Sequence, residues 1–137
     1  MKITRPPEPS EYEQHKSIFV WAKVMEREYP ELALLNSSAN GAWFPGALGK
    51  LKYKILAVLK ATGCIRPGFP DINLPVSRGG WHALYIELKK KTGKPSPEQI
   101  LWVEALRLQG NLACFCFGQA MAEKVIVAYL KGAMRRE

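Results

Sequence analysis

The segment Pro67-Gly68-Phe69-Pro70-Asp71, answered further along by Glu87-Leu88-Lys89, decides how this chain is read. Two prolines around a glycine make a stiff turn, and Asp71 heads the largely apolar residues 72–76 behind it. A turn signal at 77–80 leads into residues 82–89, where Ala83, Leu84, Tyr85 and Ile86 have the pattern of a buried strand. Two strands joined by a short turn predict a hairpin. Pro75 within the first of them cannot donate to a ladder and suits an edge position.

Working outward, residues 95–110 read as a helix with Gln99, Trp102, Val103 and Leu106 on one face and Gly110 as its stop. Residues 111–117 form a further apolar strand, and 119–134 a final amphipathic helix before a frayed basic end at Arg135 and Arg136. Upstream, residues 51–62 have helical periodicity through Leu51, Ile55, Val58 and Leu59. A long polar loop at 36–49 carries the turn signals Asn40-Gly41 and Pro45-Gly46, and the short apolar run 32–35 reads as a strand. The first helix starts at Ser10, an N-cap with Glu13 three residues on, and ends before Pro30. Its stripe of Glu11, Gln14, Ile18, Ala22 and Met25 points Glu11 the way the core points. This element order predicts an α/β fold of three layers, a mixed central sheet flanked by helices.

The 137 residues are one domain's worth, 47% hydrophobic and 23% charged, so a core is expected. A formal charge of +8 on such a chain points to a folded partner for polyanions and excludes a disordered basic tail. Three Cys, and a polar, Pro-rich residues 1–14 without an apolar signal core, argue against secretion and a disulfide scaffold; a reducing cytoplasm is expected. No apolar run approaches the roughly 20 residues that span a bilayer, so no membrane partner is expected.

Alternation along a strand puts Glu87 and Lys89 on one face and Leu88 on the other, with Asp71 at the start of the paired strand beside them. Hard divalent cations such as Mg²⁺ bind oxygen ligands, typically one or two carboxylates with waters and substrate phosphate. Asp71 and Glu87 are such a pair, and the backbone carbonyl of Leu88 is a third donor. Phosphodiester hydrolysis needs a nucleophilic water and neutralisation of charge on phosphorus, and a metal with Lys89 beside it covers both. Gln99, one turn into the next helix and on its sheet-facing stripe, is placed to hold that geometry.

Gly63-Cys64-Ile65-Arg66-Pro67-Gly68-Phe69-Pro70-Asp71, then Glu87-Leu88-Lys89, Gly93, Gln99, Trp102, Leu106 and Gly110, resembles the VRR-NUC (virus-type replication-repair nuclease) domain of the PD-(D/E)XK nuclease superfamily. Asn40-Gly41 and Glu11 fit the same pattern, so the resemblance runs from about Ser10 to Phe117. It implies a restriction-endonuclease-like fold, a single nuclease domain over 1–137, and a DNA endonuclease dependent on Mg²⁺ or Mn²⁺ with no small-molecule cofactor. Asp71 and Glu87 would be metal ligands and Lys89 the catalytic lysine. The first-helix glutamate would complete the metal site; Glu11 and Glu13 are the candidates, and helical phase favours Glu11. A stand-alone domain this short is similar to the phage and bacterial members, which resemble Holliday junction resolvases, act on branched DNA and are homodimers. Its place would be a bacterial cell or a phage-infected host.

Each residue also has an ordinary structural explanation. Asp71 can cap its turn, and Glu87 with Lys89 can be a solvated strand end; the ordered set is what favours function. The run Lys89, Lys90, Lys91, Lys94 is commonly a soluble loop, and beside a phosphodiester site it would grip the DNA backbone. Asn40 and Ser38 in the long loop are phosphate contacts or turn formers. Cys64, Cys114 and Cys116 lack zinc spacing and read as thiols, and His82 receives no role. Trp21 and Trp102 fit core stripes, leaving Trp43 and Trp81 as contacts for DNA or a second subunit. The rival reading is a non-catalytic basic DNA-binding module of the same fold, with an RNA-directed nuclease or a protein-interaction domain behind it.

Overall fold

A computed structural model describes residues 4–41 and 44–137, so Trp43 lies outside the described residues. Helix α1, Glu11–Met25, begins in a full capping box: the Ser10 hydroxyl accepts from the Glu13 amide at 3.2 Å, and the Glu13 carboxylate accepts from the Ser10 amide at 2.9 Å. Its buried stripe is Gln14, Ile18 and Ala22. Gln14 is polar and buried because both ends of its amide are used. It donates to the Pro9 carbonyl at 3.0 Å and accepts from the Gln119 amide at 2.7 Å.

The run expected as a strand at 32–35 is instead a 3-10 turn, Pro30–Leu34. Pro30 presets its first φ, and a period of three buries Leu32 and Leu35 together while Ala33 and Leu34 stay exposed, a pattern a strand cannot produce. Strand β1 is the next pair, Asn36–Ser37, inside the stretch read as loop. Short 3-10 turns at Ala39–Gly41 and Gly46–Leu48 lead to helix α2, Leu51–Ala61. The hairpin follows: β2, Ile72–Leu74, runs antiparallel to β3, Leu84–Lys89, with Ile72 opposite Ile86 and Leu74 opposite Leu84. Pro75 does not mark an edge. The strand ends before it, where the Val76 amide turns back to the Leu74 carbonyl at 2.9 Å, and β1 covers the outer side of β2.

Helix α3, Pro97–Leu108, crosses over to β4, Leu112–Phe117, which lies parallel to β3 with Glu87 opposite Phe115. Helix α4, Gln119–Leu130, closes the sequence. The sheet order is β1-β2-β3-β4, two antiparallel pairings and one parallel, so the mixed sheet is as expected. One face, with Ile72, Leu74, Leu84, Ile86, Leu88 and Cys116, packs on Ile18 and Ala22 of α1 and on Ile126 and Tyr129 of α4. Each of these large apolar side chains is worth about 1.5–3 kcal/mol in burial. The other face carries Tyr85, Glu87 and Lys89 toward α3, whose Val103 is buried. Among the described residues no helix is long and apolar enough to cross a membrane.

Two expectations at the far end are corrected. Arg136 is not frayed: its amide donates to the Gly79 carbonyl at 2.8 Å, and its guanidinium lies 5.7 Å from the centre of the Trp81 ring. Trp81 in turn donates its Nε1 proton to the Met134 carbonyl at 2.7 Å, so its polar handle is occupied by the chain's own tail.

The loop before Asp71 is seated on α3 at one glycine. Gly68 has φ +85°, and a Cβ there would stand 2.5 Å from the Glu98 carbonyl carbon and 2.8 Å from the Gln99 amide. Gly68→Ala is therefore expected to destabilise the protein by about 2–4 kcal/mol in a urea melt, since both the positive φ and the backbone contact must be relieved. A melt unchanged from wild type would contradict this packing.

Candidate active site

Asp71 precedes β2, and Glu87 and Lys89 end β3, so pairing of these strands brings the three together. Asp71 accepts a hydrogen bond from the Leu88 amide at 3.1 Å. The Glu87 carboxylate accepts at one oxygen, Oε1, from the Gln99 side chain at 2.7 Å, and Lys89 Nζ lies 3.8 Å from that oxygen. Gln99 is itself fixed. It is the third residue of a capping box, where its Oε1 accepts from the Ser96 amide at 2.9 Å and the Ser96 hydroxyl accepts from the Gln99 amide at 3.2 Å. The helix cap thus aims the Gln99 amide group at Glu87.

These groups, with Glu11 and Asn40, wall a cavity of about 330 Å³ that is otherwise lined by the 65–69 loop. A wider groove of about 920 Å³ runs along residues 6–9 and α1, but its carboxylates are already engaged: Glu8 accepts from the Lys91 amide, Glu13 caps α1 and Glu123 accepts from Gln119 at 2.8 Å.

Glu87 is 4% exposed. Burial first, and the Asp71 charge second, push its pKa up to about 8, with Lys89 pulling the other way. Burial also raises Asp71, opposed by the Leu88 amide and by His15. Two carboxylates that resist ionisation side by side are a site short of positive charge. The second Glu87 oxygen, Oε2, is buried with no hydrogen-bond partner.

The strand geometry adds a donor. N–H and C=O of one strand residue point to the same edge, and the Leu88 amide points at Asp71. Carrying the β2–β3 register two residues on from Ile72 and Ile86 places Pro70 opposite Leu88. Proline has no N–H to offer that carbonyl. Two carboxylates and a backbone carbonyl are an oxygen set that a hard divalent cation takes with waters filling the rest, and an orphaned buried carboxylate oxygen fits such an ion. Among the described residues no three His, Cys, Asp or Glu side chains stand together as a ready-made cage.

The two first-helix glutamates separate. Glu13 is held in the cap, while Glu11 lines the cavity, raises the Asp71 pKa by its charge and accepts from the Lys90 amide at 3.3 Å. Glu8 accepts from the Lys91 amide at 3.0 Å, so the turn at 90–94 is tethered to the start of α1. Lys91 and Lys94 are exposed and Lys90 is half-buried. Asn40, expected at a phosphate, spends its side chain on the protein: it accepts from the Arg66 amide at 2.8 Å and donates to the carbonyls of Arg66 and Phe69, the latter at 3.0 Å. It staples the loop that ends in Asp71.

Sequence reading passed over His15. It lies one turn beyond Glu11 on α1, stacks on Phe19 at 5.5 Å between ring centres, and is coupled by charge to Asp71; burial lowers its pKa and Asp71 partly offsets this. The i, i+4 spacing from Glu11 was the available signal. Cys114 and Cys116 lie on the core-facing side of β4, and Cys64 is exposed elsewhere.

The layers, the sheet order and the polar cavity at the end of β3 define a three-layer α/β domain. No family model matches the chain, and no curated relative does. Among solved structures, one described as a VRR_NUC domain protein superposes with a TM-score of 0.67 over 91% of each chain, at 24% sequence identity. The chain therefore has the fold of a VRR_NUC domain, as the resemblance of its motifs implied.

The raised carboxylates set a sign for stability. A carboxyl whose folded pKa exceeds its unfolded value stabilises the protein fully below about 4.5 and loses that contribution as pH climbs through the folded value, here about 8 for Glu87. In EDTA, the melting temperature is expected to fall by several degrees between pH 6 and pH 9, and Glu87→Gln to flatten that fall. A wild-type melt independent of pH across this window would contradict the site as described.

Proposed function

We propose that this chain is a metal-dependent DNA endonuclease, a single nuclease domain that hydrolyses phosphodiester bonds in branched, Holliday-junction-like DNA as a homodimer. The observation that carries the reading is the convergence of Asp71, Glu87 and Lys89 on one cavity with the Glu87 Oε2 left unpartnered. The fold shared with a VRR_NUC domain protein supports it.

Asp71, Glu87 and the Leu88 carbonyl would hold Mg²⁺ or Mn²⁺, with Glu11 on the same cavity wall completing the set. Such an ion neutralises charge on the scissile phosphate and lowers the pKa of a bound water. The remaining chemistry belongs to the side chains. Gln99 holds one Glu87 oxygen, which turns the other toward the ion site. The Lys89 ammonium, 3.8 Å from Glu87, orients the attacking water and faces the charge that builds on the non-bridging oxygens. Water oxygen bonds to phosphorus as the bond to the 3′ oxygen breaks, leaving 5′-phosphate and 3′-hydroxyl ends. Lys90, Lys91 and Lys94 hold neighbouring phosphates from the tethered turn. A two-fold pair of subunits suits a junction with two-fold symmetry.

The test is a digest of four-way junction, flap, linear duplex and RNA with Mg²⁺, Mn²⁺ or EDTA. Metal-dependent cleavage of junctions is expected, and Asp71→Ala, Glu87→Ala and Lys89→Ala each to lower its rate by at least about 100-fold while changing DNA affinity little. Full activity in any of the three overturns the assignment of that residue. Salt-sensitive binding with no cleavage of any substrate would make the protein a non-catalytic module.

A further inference from the structure

Between Glu31 and Asp71 the chain has no acidic residue, and it places five cations there: Lys50, Lys52, Lys54, Lys60 and Arg66. Those 39 residues supply five of the formal +8, while the other 98 carry 15 Lys and Arg against 12 Asp and Glu. The segment is also peripheral in its packing. Helix α2 at its centre contains no buried residue, and Lys50, Lys54 and Lys60 are exposed together with Tyr53 at 64%.

We propose that this excursion between β1 and β2 is a second contact surface for substrate DNA, in which Lys50, Lys54, Lys60 and Arg66 hold the phosphates of the strand that leaves the cavity. This rests on the nuclease reading above for its ligand. Continuity with the cavity supports it: Asn40, Ile65, Pro67, Gly68 and Phe69, all from this segment, line the wall, and Ile65 follows the end of α2 by four residues. Arg66, between them, is exposed with its guanidinium 5.5 Å from the centre of the Trp102 ring. This wall flanks the cavity that Glu87 and Lys89 line, and the 11 residues of α2 that precede it span about 16 Å. That is the axial length of about five nucleotides of one strand.

Charge decides between DNA and a second copy of the chain as occupant. A two-fold contact through this face would set Lys50, Lys54 and Lys60 of each copy against the same face of the other, with no carboxylate in the segment to answer them. A polyphosphate answers all of them.

The experiment is fluorescence anisotropy with a labelled four-way junction and a labelled duplex in EDTA, where binding is read without cleavage, over a range of KCl. Lys50→Gln, Lys54→Gln and Lys60→Gln combined are compared with wild type and with a charge-matched control, Arg27→Gln, Lys124→Gln and Lys131→Gln. Thermal melts check that all three proteins are folded. The slope of log affinity against log salt is expected to shrink by about 2–3 in the α2 variant, with affinity at 0.1 M KCl down by at least about tenfold, and to stay at the wild-type value in the control. An unchanged slope overturns the proposal, as does an equal loss in the control. So does sedimentation showing that the α2 variant breaks a wild-type dimer while the slope is kept, which would make this face a contact between copies. Cleavage judges the nuclease reading separately: normal cleavage with an unchanged slope removes only this surface, and a shrunken slope without cleavage removes only the enzyme.

Discussion

The burial of Glu87 constrains everything around it. A carboxylate taken out of water at the end of a central strand costs several kcal/mol unless it is paired, hydrogen-bonded or protonated. Here each means is partly used: Gln99 satisfies one oxygen, Lys89 stands at 3.8 Å, and the raised pKa keeps a proton available. The second oxygen is buried next to Asp71 without a hydrogen bond of good geometry. Such an arrangement is poor for stability and well suited to taking up a cation, which would satisfy that oxygen and suppress the repulsion from Asp71 together. The rest of the site follows from holding this one group still. The capping box that begins α3 fixes Gln99, Gly68 lets the preceding loop lie against that same turn, and Asn40 pins the loop from the opposite side.

Much of this was legible in the sequence because it depends on local periodicity. Alternation along β3 separates Glu87 and Lys89 from Leu88, and the helical stripe carries Gln99 toward the sheet and Glu11 rather than Glu13 toward the cavity. Other features were illegible for a common reason: they depend on contacts between residues far apart in sequence. The Asn40 side chain is bonded 26 and 29 residues away, at Arg66 and Phe69, and Trp81 53 residues away, at Met134. No window of sequence reveals that a polar loop residue or a half-buried indole has already found its partner. The 3-10 turn at Pro30–Leu34 failed for a different reason. A run of four apolar residues fits a period of two or of three equally well, and only the burial of Leu32 with Leu35 decides between them.

The two walls of the cavity differ in how they are held. The 90–94 turn is fastened to the start of α1 through carboxylates, Glu8 on the Lys91 amide and Glu11 on the Lys90 amide. The 65–69 loop is fastened through neutral groups: the Asn40 amide, the Trp102 indole on the Pro67 carbonyl at 2.9 Å, and the Gly68 backbone contact. The carboxylates on the first wall accept from backbone amides, so Lys91 and Lys94 remain exposed there as Arg66 does on the second, and a polyanion approaching the cavity meets cations on both sides.

The position of a proline immediately before Asp71 has a physical reason in the sheet. In an antiparallel ladder the residue opposite Leu88 would exchange both backbone hydrogen bonds with it. Pro70 has no N–H to offer the Leu88 carbonyl; pairing stops at Ile72, and the Leu88 amide donates to the Asp71 carboxylate. At this one point β2 ends, the Leu88 carbonyl has no donor from Pro70, and the Leu88 amide anchors the Asp71 carboxylate, which lines the same cavity as Glu87.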